Sequence, residues 1–321
     1  MLSLILGLLI VSTPLDCSQS HAAKSIIQKT YYSGQLAQAI DQAESILACK
    51  NTNVDQKVEL HLQLAAINDR IGLHQNTRPV AASLDHINKA ALLSSMANEH
   101  SQAAVLLARA KYFYRAEMVE RKFPQAERYG EQALAVYTAL DNVYGQADAT
   151  HALGLVFFQR RELEKARIYF DRSLELENRS GNARAVMLAD YGRHVGFIHL
   201  ISEQVGAAVP FFEQSLMHRR TGGLTDAAMF AAITLASAYA DQGNIPSAKE
   251  TVAFALDVAE EINSPNGLVR VLFVEAKISE VEGNKEAAMK AYGRARKTAM
   301  SIDLAGSVAR AEEAIKRLSD N

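Results

Sequence analysis

The stretch ALGLVFFQRRELEKARIYF, residues 152–170, contains two apolar-periodic segments separated by the polar turn QRRE. On each side of that turn, apolar residues recur three and four positions apart, which is the spacing of one face of an α-helix. Two such faces joined by a short turn predict an antiparallel helical hairpin. The other long segments of the chain repeat this hairpin.

The hairpin recurs with a period near 40 residues. Its anchor, Ala166, has equivalents at steps of 40 or 42 residues, namely Ala126, Ala208, Ala248 and Ala288. Twelve residues before the anchors stand Tyr114, Gly154, Gly196, Ala236 and Ala276, and four residues after them stand Gly130, Phe170, Phe212, Val252 and Tyr292. Small residues let two helices approach closely, and the large residue fills the gap between neighbouring pairs. Tyr114 and Gly130 depart from this pattern, so we expect the first clear copy to pack less regularly.

These copies resemble tetratricopeptide repeats. The family's core residues are matched by Leu153, Gly154, Phe157, Ala166, Phe170, Ser173 and Leu174. The usual period of the family is about 34 residues, whereas these copies are similar to the 40-residue variants of kinesin light chains and some bacterial sensor and scaffold proteins. We expect longer helices, because no long polar loop occurs. The resemblance implies an all-α fold, a right-handed α-solenoid of stacked antiparallel helix pairs.

The solenoid is expected to occupy residues 23–321 in about seven helix pairs, which are clearest over residues 107–300. Upstream, residues 31–47 carry the turn and second helix of a copy, and residues 58–93 form another with a longer linker around residues 74–77. Residues 305–318 form a lone helix with charges on its outer face. Such a helix caps the open end of a solenoid, because an uncovered pair would expose its apolar face.

The N-terminus reads as a secretory signal. Residues 2–15 form an uncharged apolar run that is too short to span a membrane comfortably. Ser20 and Ala22 are small residues at the two positions that a signal peptidase reads, so cleavage after Ala22 would remove residues 1–22. This predicts a periplasmic or secreted protein without stable membrane insertion. The alternatives are an uncleaved segment that anchors the protein to the membrane, or a misplaced start codon.

Cleavage at that point would leave Cys49 as the remaining cysteine of the two in the chain. We therefore expect Cys49 to be an inert, half-buried thiol, with no internal disulfide in the fold.

The sequence lacks the motifs of common chemistries. It has no Gly-rich phosphate loop, HExxH, CxxC or EF-hand pattern, so we expect no enzymatic activity, cofactor or metal site. The net charge of −2 gives no overall attraction for nucleic acid. An enzyme built on the solenoid would need titratable groups that converge in a pocket, and no pattern in the sequence predicts them.

The resemblance implies that the first helix of each pair lines the concave surface, where members of the family bind peptides. The family's groove positions fall fifteen and eleven residues before each anchor. Together with Phe158, one turn further along its helix, these positions give the predicted binding residues Lys111, Arg115, His151, Leu155, Phe158, Arg193, Phe197, Ile233, Phe273 and Lys277. Their basic members suit carboxylates. The alternative is that these basic residues pair internally with Asp148 and Asp190.

The sequence thus predicts a non-enzymatic scaffold that binds a protein or an extended peptide, with acidic groups facing the basic positions. The Lys111–Arg115 pair is similar to half of the carboxylate clamp of chaperone-binding family members. The other half is not matched, because Lys24 and Gln28 stand at its positions in the first copy. The competing hypothesis is a sensor or regulatory module of a bacterial signalling system that acts through a partner protein.

Overall fold

The structure is a computed structural model that describes residues 14–75, 77 and 80–320. Over these residues the chain forms a short 3₁₀-helix, Cys17–Gln19, and fifteen α-helices, with no strand. The α-helices are α1 Ala23–Tyr32, α2 Leu36–Leu47, α3 Val54–Gln75, α4 Ala81–Ser94, α5 Glu99–Ala116, α6 Pro124–Ala139, α7 Val143–Gln159, α8 Leu163–Arg179, α9 Ala185–Ile201, α10 Val205–Thr221, α11 Thr225–Asp241, α12 Ile245–Glu261, α13 Pro265–Val281, α14 Lys285–Met300 and α15 Ala305–Asp320.

The helices pack as seven consecutive pairs, α1–α2 through α13–α14, and each pair stacks on the next. Helix α15 covers the last pair and buries Ala311 against α14. The predicted tetratricopeptide-like α-solenoid with a C-terminal cap is confirmed. The extra residues of each copy lie in the helices, as expected, because α7 to α13 have 17 residues each and are joined by short turns.

In the α7–α8 and α9–α10 pairs, the glycine of the repeat makes room for the large ring of the same pair. A Cβ atom on Gly154 would lie 2.7 Å from Cε1 of Phe170, and one on Gly196 would lie 2.5 Å from Cε1 of Phe212. Both distances are far shorter than carbon–carbon van der Waals contact. Phe170 also packs with Val195 of the following pair, so the ring joins two pairs, as predicted.

The first clear copy is irregular where the sequence departs from the pattern. Tyr114 stands at the position where other copies have a small residue, so it leaves no gap between the helices. Its ring stacks on that of Phe123 instead, with ring centroids 5.7 Å apart. Phe123 is fully buried and has a left-handed backbone with φ of 59°, just before α6 begins. Gly130 leaves space that Leu153 of the next pair fills, since an added Cβ would lie 2.9 Å from Leu153 Cδ2.

The predicted linker at residues 74–77 is partly wrong. Helix α3 continues to Gln75, and His74 is buried rather than solvated. The physical reason is tertiary contact: the imidazole of His74 lies between side chains of α11 and of the turn before α13. The local sequence, which contains no such partner, does not predict this.

The prediction for Cys49 is also wrong. Cys49 is 4% exposed and forms a disulfide with Cys17, with the two Cα atoms 5.6 Å apart. The prediction of a free thiol followed from the assumption that cleavage after Ala22 removes Cys17. The predicted signal peptide lies mostly outside the described residues, which begin at Pro14. Of the helices in residues 14–75 and 80–320, none combines the length and apolar character that crossing a bilayer requires.

Candidate functional site

The first helices of six successive pairs, α3, α5, α7, α9, α11 and α13, present one continuous row of side chains, which we call the inner surface. Direct contacts connect neighbours in this row. Arg115 on α5 forms an ion pair with Asp69 on α3 at 3.0 Å. Lys277 on α13 donates to the hydroxyl of Ser237 on α11 at 2.9 Å. These contacts place Arg115 beside α3 and Lys277 beside α11.

Lys111 is an exposed cation on the first helix of its pair. Its neighbour one turn later, Arg115, bonds both Asp69 and the carbonyl oxygen of Lys111. Within the described part of the chain, Lys111 itself makes no ion pair. Its ammonium group is thus open to an anion from outside the chain.

Lys111 lies in the wall of a cavity of about 680 Å³ between α1, α3 and α5, which we call the N-terminal cavity. Apolar and tyrosine side chains form much of its lining. They are Ile27, Tyr31, Tyr32, Val58, Leu62, Ala66, Ile67, Ala104 and Tyr137. Its volume falls within the range of about 300–1,000 Å³ that is typical of ligand sites.

Most polar groups in the cavity wall already have partners. Lys24 forms an ion pair with Glu59. Asp55 accepts hydrogen bonds from the backbone N–H of Asn98 at 2.9 Å and from the hydroxyl of Ser101 at 2.8 Å. An exception is Gln63, whose buried Oε1 has no hydrogen-bond partner among the described residues. The cavity therefore offers one accessible cation in Lys111 and one unsatisfied acceptor in Gln63.

Helix α1 lies across the inner surface rather than outside it. The hydroxyl of Tyr31 accepts hydrogen bonds from Nε and Nη2 of Arg70 at 3.2 and 3.1 Å. Burial raises the pKa of Tyr32, and the charges of Asp148 on α7 and Arg184 at the start of α9 act on its phenol. The last turn of α1 thus contacts α3 through Tyr31 and closes one side of the N-terminal cavity.

An imidazole pair occupies the middle of the inner surface. His151 on α7 and His194 on α9 lie with ring centroids 5.0 Å apart, and Phe170 packs against both rings. His151 is 7% exposed, and neither ring nitrogen has a hydrogen-bond partner in the described residues. Burial lowers the pKa of His151, and that of His194 lies well below its usual value for the same reason. Both rings are therefore neutral at pH 7.

Arg193 lies beside the imidazole pair and stacks over the ring of Phe197, with its guanidinium carbon 5.0 Å from the centroid. Burial and the nearby charge of Arg219 lower the pKa of Arg193 to about 10. Asp190 lies one turn before His194 on α9 and bonds Arg219 at 2.7 Å. Arg193 therefore keeps its guanidinium without a carboxylate within ion-pair distance among the described residues.

The basic predicted residues do not form ion pairs with Asp148 and Asp190, which was the alternative to ligand binding. Asp148 pairs with Arg184, and Asp190 pairs with Arg219, neither of which is among the predicted binding residues. Arg115 and Lys277 are paired, but with Asp69 and Asp241.

The apolar predicted residues lie deeper than the cations. Ile233 and Phe273 are buried in the cores of their repeats, and Phe273 lies beneath the guanidinium of Arg310 at 4.4 Å. Leu155, Phe158 and Phe197 are half-buried; Phe158 packs against His194, and Phe197 packs against Phe212 on α10 of the same pair. Ile233 and Phe273 thus contribute packing. Lys111, Arg193 and the three half-buried residues are at least partly exposed to solvent.

Sequence reasoning missed a cluster that joins the two ends of the inner surface, which we call the closing contact. It consists of Arg70, Leu73 and His74 on α3 with Asp226, Ser264 and Asn266 at α11 and α13. Nδ1 of His74 lies 2.6 Å from Oγ of Ser264, and Nδ2 of Asn266 donates to the carbonyl oxygen of Leu73 at 2.6 Å. The only signal in the sequence was that Arg70 and His74, four residues apart, share a helix face.

No family model matches the chain, and no curated protein matches its sequence. Solved structures do match its fold over nearly the whole length. One is a Rap protein complexed with competence and sporulation factor, with 14% identity and a TM-score of 0.56 over 94% of this chain and 98% of that one.

Two further solved structures also match the fold over nearly the whole chain at low sequence identity. The Rap conjugation gene regulator of the plasmid pLS20, in complex with the Phr* peptide, shares 11% identity, with a TM-score of 0.58 over 95% of each chain. The apo form of the quorum sensor NprR from B. thuringiensis shares 13% identity, with a TM-score of 0.52 over 94% of this chain and 86% of that one. At these identities the likeness concerns the fold.

Proposed function

We propose that this protein is a non-enzymatic scaffold that binds a peptide or an extended protein segment on its inner surface, with the N-terminal cavity as the main contact site. The observation that carries the proposal is the cavity of about 680 Å³ with the exposed Lys111 in its wall. A concave, mostly apolar site with a few fixed polar groups is the common form of a ligand site.

The chemistry of the cavity favours a ligand with both an apolar side chain and an anionic group. Tyr31, Tyr32 and Tyr137 supply large apolar faces, whose burial contributes most of the affinity in such interfaces. Lys111 supplies the positive charge for a carboxylate, which is the terminal group of a peptide or the side chain of an acidic residue. The carboxylates of Glu59 and Asp55 do not compete, because each is already bonded inside the wall.

The fold comparisons support this proposal. Two of the similar structures, the Rap protein with competence and sporulation factor and the pLS20 regulator with the Phr* peptide, are complexes with a factor or a peptide. Their likeness extends over nearly the whole of this chain. A scaffold of this shape is therefore suited to extended ligands.

A regulatory role is the second candidate. The closing contact ties α3 to α11 and α13 across the inner surface. A ligand that enters between these helices would shift the equilibrium between the formed and the broken closing contact. A partner protein that binds one of these two states better would respond to the shift. Two of the similar structures, the quorum sensor NprR and the conjugation gene regulator of pLS20, support this role.

The experiment uses a pool of short synthetic peptides of random sequence, offered once with free and once with amidated C-termini to the immobilised full-length protein. Retained peptides are identified by mass spectrometry. The matched variants are Lys111→Glu and Lys290→Glu, because Lys290 is also exposed but lies on the second helix of its pair, α14. We expect retention by the wild type and by Lys290→Glu, and its loss in Lys111→Glu. Equal retention by all three proteins contradicts the site, and no retention by the wild type contradicts peptide binding.

A further inference from the structure

We propose that the Cys17–Cys49 disulfide is a structural crosslink of the mature, exported protein, so that N-terminal processing leaves Cys17 in the chain. The bond joins the 3₁₀-helix before α1 to the turn after α2, and it closes a loop with a sequence separation of 32. It thus ties the segment before α1 to the first helix pair.

A core contact holds the same segment independently of the disulfide, and a capping box orders it locally. Leu15 is buried in the first hydrophobic core together with Ile27 and Ile46. The carboxylate of Asp16 accepts a hydrogen bond from the backbone N–H of Ser18 at 2.7 Å, and the side chain of Gln19 accepts one from the backbone N–H of Asp16 at 3.1 Å. A segment with a core residue, a capping box and a crosslink is built as part of the fold.

Cleavage after Ala22 would remove both anchors of this segment, the disulfide and the buried Leu15. It would strip Leu15 from the core that Ile27 and Ile46 share, and it would leave Cys49 as an unpaired thiol. Both effects destabilise the first pair, whose α1 closes the N-terminal cavity. The small residues at Ser20 and Ala22 are therefore not the processing point. Processing takes place N-terminal to Leu15, or the leader is kept as an anchor.

The crosslink also specifies the compartment. Disulfides form and persist in secreted and periplasmic proteins, whereas thiol reductants keep cytosolic cysteines reduced. The chemistry is thiol–disulfide exchange with an oxidised dithiol oxidoreductase. One cysteine thiolate attacks the disulfide of the oxidant, and the second cysteine then displaces the oxidant's sulfur. The two cysteine thiols lose two electrons and two protons, and the oxidant leaves as a dithiol.

The first experiment measures the protein made and exported as the full chain by a host with an oxidising envelope. Intact mass, N-terminal sequencing and thiol alkylation are applied with and without reductant. We expect a chain that begins at or before Leu15, no alkylation before reduction and two alkylated cysteines after it. A chain that begins at Ala23, or alkylation of Cys49 without reductant, overturns the proposal.

The variant Ala22→Arg separates the two processing points. Ala22 is exposed and its side chain makes no capping bond, so the substitution spares the fold. A large basic residue there blocks cleavage after position 22. We expect the mature N-terminus of the Ala22→Arg variant to be unchanged, and a newly retained leader in this variant contradicts the proposal.

The structural role of the bond is tested by Cys17→Ser, Cys49→Ser and the double variant, measured by hydrogen exchange. We expect exchange of the α1 and α2 amides to become at least about tenfold faster in each variant, because the local stability of the first pair falls. The helices α11 to α14 serve as the internal reference. Unchanged exchange in α1 and α2 with the disulfide absent contradicts a structural role.

Discussion

Arg70 on α3 and Asp226 on α11 form an ion pair across the inner surface, with Nε and Oδ2 3.3 Å apart. The pair joins the second helix pair of the solenoid to the sixth. In a repeat protein each copy usually contacts only its neighbours, and stability is then close to a sum of local terms. The closing contact adds a long-range term to this chain, because it bonds helices that are far apart in the stack.

Asp226→Asn is expected to destabilise the protein by about 3 kcal/mol, because it leaves the guanidinium of Arg70 in a buried site without its counter-charge. The side chains of Arg70 and Asp226 are 23% and 4% exposed, so water replaces little of the lost interaction. Urea unfolding measures the free energy, and small-angle scattering measures whether the two ends of the solenoid separate.

The control for this variant is Glu282→Gln, which removes the partner of Lys249 in a pair whose side chains are 33% and 56% exposed. An exposed pair contributes less than about 1 kcal/mol. If both substitutions cost the same, or if Asp226→Asn leaves the scattering profile and the free energy unchanged, the closing contact does not hold the ends together.

The repeat register predicted the local part of this structure correctly. Steps of about 40 residues placed the helix pairs, and the positions before each anchor fall on the first helices of those pairs, such as Lys111 on α5 and His151 on α7. Periodicity shows which face of each helix is buried. It contains no information on the curvature of the solenoid, which decides whether distant helix pairs meet. The contact of Arg70 with Asp226 depends on that curvature. The Cys17–Cys49 bond was not predicted for another reason. The expected signal-peptide cleavage after Ala22 would remove Cys17 from the mature chain.

The contact of Gly154 with the ring of Phe170 predicts a costly alanine substitution. In Gly154→Ala the new Cβ would lie 2.7 Å from Cε1 of Phe170 and 3.2 Å from Cβ of Tyr169, so the α7–α8 packing must open. Overpacking of this kind costs about 1–3 kcal/mol. Urea unfolding of the purified variant measures the loss.

Gly293→Ala is the matched control, because Gly293 lies within α14 and nothing stands within 4 Å of its added Cβ. There the higher helix propensity of alanine is expected to stabilise the protein by up to about 1 kcal/mol. The double variant Gly154→Ala/Phe170→Leu should recover part of the loss. Opposite signs for the two single variants support the packing model, and a loss of equal size in both contradicts it.

The imidazole of His151 makes the stability depend on pH. Burial lowers its pKa, while Asp190 and Asp148 act in the opposite direction and Lys111 reinforces the effect of burial. In the unfolded chain the pKa of histidine is about 6.5. The unfolded state therefore binds more protons than the folded state just below pH 6.5. Stability is complete above that pH and falls as the pH decreases through it, with a slope of up to about 1.4 kcal/mol per pH unit for this residue.

The substitution His151→Leu tests this dependence, because neither ring nitrogen of His151 has a hydrogen bond to lose within residues 14–75 and 80–320. We expect the variant to be nearly as stable as the wild type at pH 7.5 and to lose less stability than the wild type between pH 6.5 and 5. His194 remains and keeps part of the slope, since burial still lowers its pKa after the second cause, the charge of His151, is removed. Urea unfolding across this pH range measures both proteins, with His100→Gln, a change at an exposed histidine, as the control. An unchanged slope in His151→Leu contradicts the assignment, as does a reduced slope in the control.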